Sequence, residues 1–312
     1  MENNDKVYEL IIIGGGPAGA AGAVYAGRKK IDTLIIKKEW GGQSIVSPDI
    51  HNWIGTKIIA GDKLANDLKE HVESYIGDLL KIEDELVENV KQEDKIFVVT
   101  TKSGKVFKSK TILITTGSTR KQIEVPGAKE LEHKGLTYCA SCDGLFFAGL
   151  DVVVVGAGNS AFESALQLLA YCKSVTILVR SDTIRADELT VEAVKKDPKT
   201  KILYNTETVE ILGDKKVEGI KVKNIITNEI TDIPLQGIFV EIGQVANTGF
   251  VKDLVKIDKF GKVEIDPWTQ AASIPGIWAA GDCTNIKYHQ NNIAAGDGVK
   301  ALEDIYTYIK SN

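Results

Sequence analysis

Residues 7–19 read VYELIIIGGGPAG, an apolar run from Val7 to Ile13 that stops abruptly in Gly14-Gly15-Gly16-Pro17-Ala18-Gly19. The run is rich in β-favouring residues and predicts a strand. From Ala20 to Lys30 small residues take over, as in a helix packed close to its neighbour, and Thr33–Ile36 supplies a second strand. Strand, glycine turn, helix and strand in this order form the opening of a βαβ unit. Gly14, Gly16 and Gly19 fit the dinucleotide fingerprint. The first glycine permits the tight turn, the second lets a pyrophosphate reach backbone N–H groups, and the third lets helix pack on strand. The string is weak alone; its place between a strand and a helix gives it meaning.

The pattern returns 142 residues further on, with a strand over Asp151–Val155, the turn Gly156-Ala157-Gly158-Asn159-Ser160-Ala161, a helix over Ala161–Tyr171 and a strand over Val175–Val179. Two such openings in one chain predict a duplicated α/β architecture. Lys95–Thr101 and Lys105–Phe107 alternate around Ser103-Gly104, a hairpin signal. Thr111–Thr115 runs into Thr116-Gly117, and Gly237–Ile242 into Gly243; both ends read as crossing points between domains. Trp278-Ala279-Ala280-Gly281-Asp282 repeats the strand-then-glycine theme, and a last helix is expected from Ala294 to Ile309.

About twenty residues past such a turn, a carboxylate binds a ribose 2′-hydroxyl and arginine accepts a 2′-phosphate. The second unit offers Val179-Arg180-Ser181 and then Arg185. That favours NADPH over NADH, against the plainer reading of incidental arginines on a solvated strand end. The first unit offers Lys37-Lys38-Glu39, so this rule does not identify its nucleotide.

Composition removes other classes. The 312 residues are 43% hydrophobic and 26% charged, ordinary for a globular chain with two cores. A net charge of −5 with no basic run argues against a nucleic-acid partner. No apolar run is long enough for a membrane span. The polar start, Met1-Glu2-Asn3-Asn4-Asp5, lacks a signal-peptide pattern, so a cytoplasmic protein is expected.

Four cysteines cannot form a disulfide scaffold. Two of them stand as Cys139-Ala140-Ser141-Cys142, a spacing that closes a small disulfide and favours a lowered thiolate pKa. Half a zinc site is the competing reading, but Cys172 and Cys283 are isolated, and nearby His133 would make only a third ligand. Asp143 follows directly and is a candidate acid or base, or a cap for the turn at Asp143-Gly144. Cys172 and Cys283 read as buried small hydrophobes. The histidines at 51, 71, 133 and 289 show no ligand spacing.

Together these motifs, with Gly41-Gly42-Gln43, Asn52-Trp53-Ile54-Gly55 and Tyr138 before the cysteine pair, resemble the low-molecular-weight thioredoxin reductases over nearly the whole chain. The resemblance implies two Rossmann-like dinucleotide-binding domains, the second inserted into the first. Residues 1–117 and 245–312 would bind FAD, and residues 118–244 would bind NADPH and carry the redox disulfide. Gly14, Gly16, Pro17, Ala18 and Gly19 would hold the FAD pyrophosphate. Lys37 or Glu39 would meet its ribose, Gly41, Gly42, Gln43 and Asn52 would approach the flavin ring region, and Thr116 and Gly117 would also bind the cofactor. Gly281 and Asp282 would meet the ribityl or pyrophosphate portion, with Gln290 and Asn291 nearby. Gly156, Gly158, Asn159, Ser160, Ala161 and Glu163 would line the nicotinamide cofactor site, with Arg180 and Arg185 at its 2′-phosphate.

By the same resemblance, Cys142 would face the flavin, Cys139 would attack a protein disulfide and Asp143 would move the proton. A domain rotation, a homodimer and a separate thioredoxin-like partner are implied as well. Two departures bear on the donor. Ser181 replaces one family arginine, and Lys37 stands where the family has an acid. Lys37 and Asn159-Ser160 are closer to the flavoprotein component of alkyl hydroperoxide reductase, which prefers NADH. NADH or reduced ferredoxin as donor, and a flavin redox sensor without turnover, are the competing readings.

Overall fold

The computed structural model describes residues 6–47, 50 and 52–311. They form two compact units, Met1–Thr119 with Val245–Asn312, and Arg120–Gln244.

The first unit opens with strand β1 (Val7–Gly15), helix α1 (Pro17–Lys29) and strand β2 (Thr33–Trp40). Helix α2 (Gly61–Glu73) and strands β3 (Leu80–Asp84), β4 (Val87–Glu93), β5 (Ile96–Thr101) and β6 (Val106–Ile114) follow. Leu10–Ile13 are buried on both faces of the sheet, which is why β1 is apolar without alternation. Helix α1 begins at Pro17, three residues before the expected start at Ala20. Proline lacks an N–H and is pre-set for the first helical position, so the glycine string lies partly inside the helix. Strand β2 likewise continues past Ile36 to Trp40. Short strand β7 (Ser118–Arg120) lies where the chain leaves this unit.

The second unit contains helix α3 (Ala128–Leu131), strand β8 (Leu136–Thr137), helix α4 (Ala140–Asp143), strand β9 (Asp151–Val155) and helix α5 (Asn159–Leu169). Strand β10 (Ser174–Leu178), helix α6 (Glu188–Lys196) and strand β11 (Thr200–Leu203) continue it. Its last strands are β12 (Thr206–Leu212), β13 (Gly219–Asn224), β14 (Ile230–Pro234) and β15 (Gly237–Val240). Five strands pair in parallel in the order β11-β10-β9-β15-β8. β12, β13 and β14 form a separate antiparallel sheet. Helix α5 starts at Asn159 and stops at Leu169, short of Tyr171.

Strand β16 (Gln244–Ala246) marks the return to the first unit, completed by strand β17 (Ile277–Ala279) and helix α7 (Asn291–Ser311). The first unit's sheet runs β3-β2-β1-β6-β5-β4. The early half of β6 pairs antiparallel with β5, the observed form of the hairpin at Ser103-Gly104, and its late half pairs in parallel with β17. Each unit thus carries parallel strands around a strand–glycine turn–helix opening, in the first unit with an antiparallel edge of β4 and β5, and the fold is α/β with two Rossmann-like dinucleotide-binding domains, the second inserted into the first. Among the described residues no helix is long and apolar enough to cross a membrane.

Candidate functional site

In the first unit, Gly14 has φ +118°, and a Cβ there would lie 2.3 Å from the Thr115 carbonyl oxygen. A Cβ on Gly19 would lie 2.0 Å from the Gly14 oxygen, so only glycine lets α1 approach β1 this closely. Gly16 differs: a Cβ there would meet nothing within 4 Å. It is also the N-cap of α1 and offers no side chain to the helix's first N–H groups. Open space in front of uncapped N–H groups is the cradle a diphosphate needs. Gly281 (φ +77°) packs over this turn, 3.4 Å from the Ala18 Cβ by the same construction.

A bulge shapes the end of β2. Ile13 pairs with Ile36, but Gly15 pairs with Trp40, so Lys37–Glu39 bow out opposite Gly14. Lys37 is buried; its amine pairs with Asp84 and sits 5.1 Å from the centre of the Trp40 ring. Glu39 is exposed, with its backbone against Gly15. The lysine amine is thus committed to its own sheet, and Glu39 is the carboxylate left exposed at the end of β2.

A second set of residues is stitched together by side chains. Ser44 donates to Asn291 Oδ1 (2.8 Å), Asn52 Nδ2 to Gln290 Oε1 (2.9 Å), and Asn292 Nδ2 to the Asn52 carbonyl (2.5 Å). Gln43 Nε2 donates to Ser118 Oγ at 2.9 Å. Thr116 and Gly117 are held by Asn247: Thr116 Oγ1 donates to its carbonyl (2.6 Å), and its amide donates to the Gly117 carbonyl (3.0 Å). Asp282 lies 3.4 Å from His289 Nδ1, and His289 Nε2 lies 2.7 Å from the Lys262 amine. A lysine ammonium can only donate, so Nε2 is the acceptor and the ring proton sits on Nδ1, facing the Asp282 carboxylate.

In the second unit, Gly156 has φ +154° and a Cβ there would lie 2.3 Å from the Glu241 carbonyl oxygen, while Gly158 faces open space. Ser160 and Glu163 join Arg120, Ser164, Gln167, Glu241, Gly243 and Gln244 around a cavity of about 310 Å³. It lies at the C-terminal ends of β9 and β15, the place where open parallel sheets bind ligands. Burial pushes the Glu241 carboxyl up, and Glu163 adds to this; Arg120 and the Ser164 hydroxyl, which donates at 2.9 Å, oppose it. Sequence reasoning missed Glu241 and Arg120. The signal for Glu241 was a lone carboxylate inside the apolar run Gly237–Ile242.

Arg180 and Arg185 are exposed on the segment joining β10 to α6. That segment is fixed at several points. Arg185 N donates to the Ala157 carbonyl at 2.8 Å, and Asp187 N donates to Asn159 Oδ1 at 2.8 Å. Asn159 is therefore tied to a loop of its own unit.

Cys139 is disulfide-bonded and partly buried, whereas Cys172 and Cys283 are buried free thiols. The Cys142 side chain lies outside what is described. Asp143 does not cap the following 3₁₀ turn, Gly144–Phe147, contrary to one sequence expectation. Its carboxylate instead accepts from Thr137 Oγ1, and Thr137 Oγ1 also accepts from Cys139 N at 3.2 Å. A hydroxyl has one proton to give, so it goes to the carboxylate and its lone pair serves the amide. Thr137 thereby links Asp143 to the cysteine backbone. Leu145 and Phe146, just beyond, are 73% and 80% exposed. Among the described residues no cluster of His, Cys, Asp or Glu could hold a metal ion.

The family model for pyridine nucleotide-disulphide oxidoreductases matches residues 8–298. The chain is 38% identical over 305 residues to an NADH dehydrogenase of Ferdinandcohnia aciditolerans, covering 98% of this chain and 58% of the relative. It is 36% identical over 310 residues to the F component of alkyl hydroperoxide reductase from Escherichia coli, covering 98% and 59%. It thus spans about three fifths of the length of these curated relatives. Among solved structures, the thioredoxin reductase of Lactococcus lactis superposes with a TM-score of 0.88 at 33% identity, covering 98% of this chain and 100% of that one.

Proposed function

This chain belongs to the pyridine nucleotide-disulphide oxidoreductase family, and from that premise we propose that it is a thioredoxin-disulfide reductase, moving electrons from NADPH through FAD and a Cys139–Cys142 disulfide to a thioredoxin-like protein. The observation that carries the reading is the disulfide-bonded Cys139, in the same unit as the second glycine turn and just ahead of exposed Leu145 and Phe146. A nicotinamide site and a redox disulfide in one unit serve turnover; a sensor needs no hydride supply. Exposed apolar residues beside the disulfide give a protein substrate something to bury.

When bound, FAD supplies the two-electron relay between a nicotinamide and a disulfide, chemistry that no side chain here can perform. Gly14–Gly19 and the first N–H groups of α1 hold its diphosphate, with Glu39 at the ribose and Gly42, Gln43, Asn52, Thr116, Gly117, Gly281, Asp282, Gln290 and Asn291 along the remainder. In the second unit Gly156–Ala161, Glu163, Arg180 and Arg185 hold the nicotinamide dinucleotide. Once Cys139 and Cys142 are thiols, the Cys139 thiolate attacks one sulfur of the partner's disulfide. The partner's S–S bond breaks, its second sulfur leaves as thiolate and takes a proton, and a mixed disulfide remains. Cys142 thiolate then attacks Cys139 Sγ, restoring the internal disulfide and releasing the second partner thiol. Asp143, held by Thr137, is the group that stores and returns the proton. The protein works in the cytoplasm as a homodimer.

NADH is the second donor to consider, on one observation: the Ser181 hydroxyl is spent on the Thr183 carbonyl at 2.9 Å and adds no cation between Arg180 and Arg185. Anaerobic titration with NADPH, NADH and reduced ferredoxin, followed at the flavin absorbance, decides between donors. Cys142→Ser is expected to block passage of electrons to the disulfide while leaving flavin reduction intact. Cys139→Ser is expected to abolish thioredoxin reduction. Colourless, folded protein that cannot be reconstituted with FAD, or normal turnover in both variants, refutes the proposal.

A further inference from the structure

Arg185 reaches a 2′-phosphate only if its backbone is held in place, and the structure shows what holds it. The loop between β10 and α6 lies along the second nucleotide turn in a short ladder. Arg185 N donates to the Ala157 carbonyl, and two residues further along both segments Asp187 N donates to Asn159 Oδ1, each at 2.8 Å. The first rung is backbone to backbone. The second cannot be, because Asn159 is already the first residue of α5 and its carbonyl points along the helix axis. Its side chain supplies the acceptor the backbone has turned away.

The same contact orients the amide. An N–H can donate only to the carboxamide oxygen, so Nδ2 is the end left to donate at the N-terminus of α5, where a diphosphate is favoured. Aspartate would keep the acceptor but bring a negative charge to that position.

The loop is also ordered at both ends. Ser181 Oγ donates to the Thr183 carbonyl (2.9 Å) and accepts from Thr183 N (3.3 Å). Asp187 caps α6, its Oδ1 accepting from Leu189 N (3.1 Å) and Thr190 N (3.4 Å). Between these anchors, Ile184 and Ala186 join Val191 in the core of the second unit. One side chain therefore helps tie the loop that carries Arg185 to the second glycine turn.

We propose that Asn159 is a positioning residue for cofactor choice: its carboxamide oxygen latches the Arg180–Asp187 loop to the second nucleotide turn and so sets Arg185 for a ribose 2′-phosphate. This rests on the reading that the second unit takes NADPH. The test uses the FAD-loaded enzyme and three variants, Asn159→Ala, Arg185→Ala and the double variant. Asn159→Ala is expected to lower the NADPH-to-NADH ratio of kcat/KM roughly tenfold, through KM for NADPH. Arg185→Ala lowers it similarly, and the double variant falls no further, because both changes remove one contact. Calorimetry with adenosine 2′,5′-bisphosphate and adenosine 5′-monophosphate is expected to show the same narrowing without turnover. Asn159→Asp keeps the acceptor, so it should weaken both nucleotides while preserving their ratio. Amide exchange at Asp187 should accelerate in Asn159→Ala and stay slow in Asn159→Asp. A wild-type enzyme without NADPH preference refutes the donor assignment and the latch's phosphate role with it. A wild-type preference that Asn159→Ala leaves intact, or additive losses in the double variant, refutes the latch alone.

Discussion

Two glycines three residues apart, Gly16 and Gly19, are expected to fail in opposite ways when each is changed to alanine. At Gly16 the backbone is at φ −74°, open to any residue, and a Cβ meets no protein atom within 4 Å. Alanine is a poorer N-cap than glycine but stiffens the unfolded chain, effects of about 0.5–1 kcal/mol each and opposite sign. The apoprotein should therefore melt within ~2–4 °C of wild type. The methyl, however, fills the space before the N–H groups of α1. Losing one charge-assisted hydrogen bond to a diphosphate is worth ~1.5–3 kcal/mol, or roughly 10- to 150-fold in FAD affinity. At Gly19 the Cβ would stand 2.0 Å from the Gly14 oxygen, against a normal carbon–oxygen contact of about 3.3 Å. Helix α1 must then retreat from β1 by about an ångström, which loosens Ala20, Ala23 and Val24 from Leu10 and Ile12. Overpacking of this kind costs ~3 kcal/mol or more, or ~6–12 °C. FAD content from the flavin absorbance and apoprotein melting by circular dichroism separate the two. A Gly16→Ala protein with undiminished FAD affinity, or a Gly19→Ala protein with an unchanged Tm, refutes the reasoning.

Burial pushes the Cys172 and Cys283 thiols up to about 11, so near pH 7.5 almost none of either is thiolate. Iodoacetamide should leave the oxidised native protein unlabelled and, after reduction, label the 139–142 pair first; early mass gain at residue 172 or 283 would contradict this. For Glu241 the pKa is raised above 4.5, so the folded state holds this proton more tightly than the unfolded state. Its favourable contribution is complete below pH 4.5 and is lost as pH rises through the folded value. Glu241→Gln should therefore gain in Tm over wild type as pH rises across that window; a gain that shrinks with pH would overturn the assignment.

The two nucleotide turns were legible because their requirements are local. Gly14 and Gly156 need positive φ, Gly19 needs a missing Cβ, and Leu10–Ile13 announce a strand buried on both faces. Helix α2 was readable in principle from Leu64, Leu68 and Val72, four residues apart, between Gly61 and Gly77. What stayed hidden depends on pairing. The bulge that exposes Glu39 and commits Lys37 to Asp84 exists only when β2 meets β1 and β3. Arg120 and Glu241 reach one cavity from opposite ends of the inserted segment. The Asn159 latch spans 28 residues and uses a side chain that motif reading assigns to the cofactor.

The late pairing of β17 with β6 sets a timetable for synthesis. On the ribosome, Arg120–Gln244 emerges as one uninterrupted stretch and can close its own cores while the first unit still lacks Trp278, Ala280, Ala301, Leu302 and Ile305. At ~5–20 residues per second, the stretch Val245–Asn312 takes several seconds to appear. Throughout that interval the late half of β6 has an open edge awaiting Ile277–Ala279, and α1 lacks the α7 cover whose Gly298 fits against Ala18. The first unit is therefore most exposed to misassociation after β6 and before β17 and α7 are made, and a chaperone would find its target there.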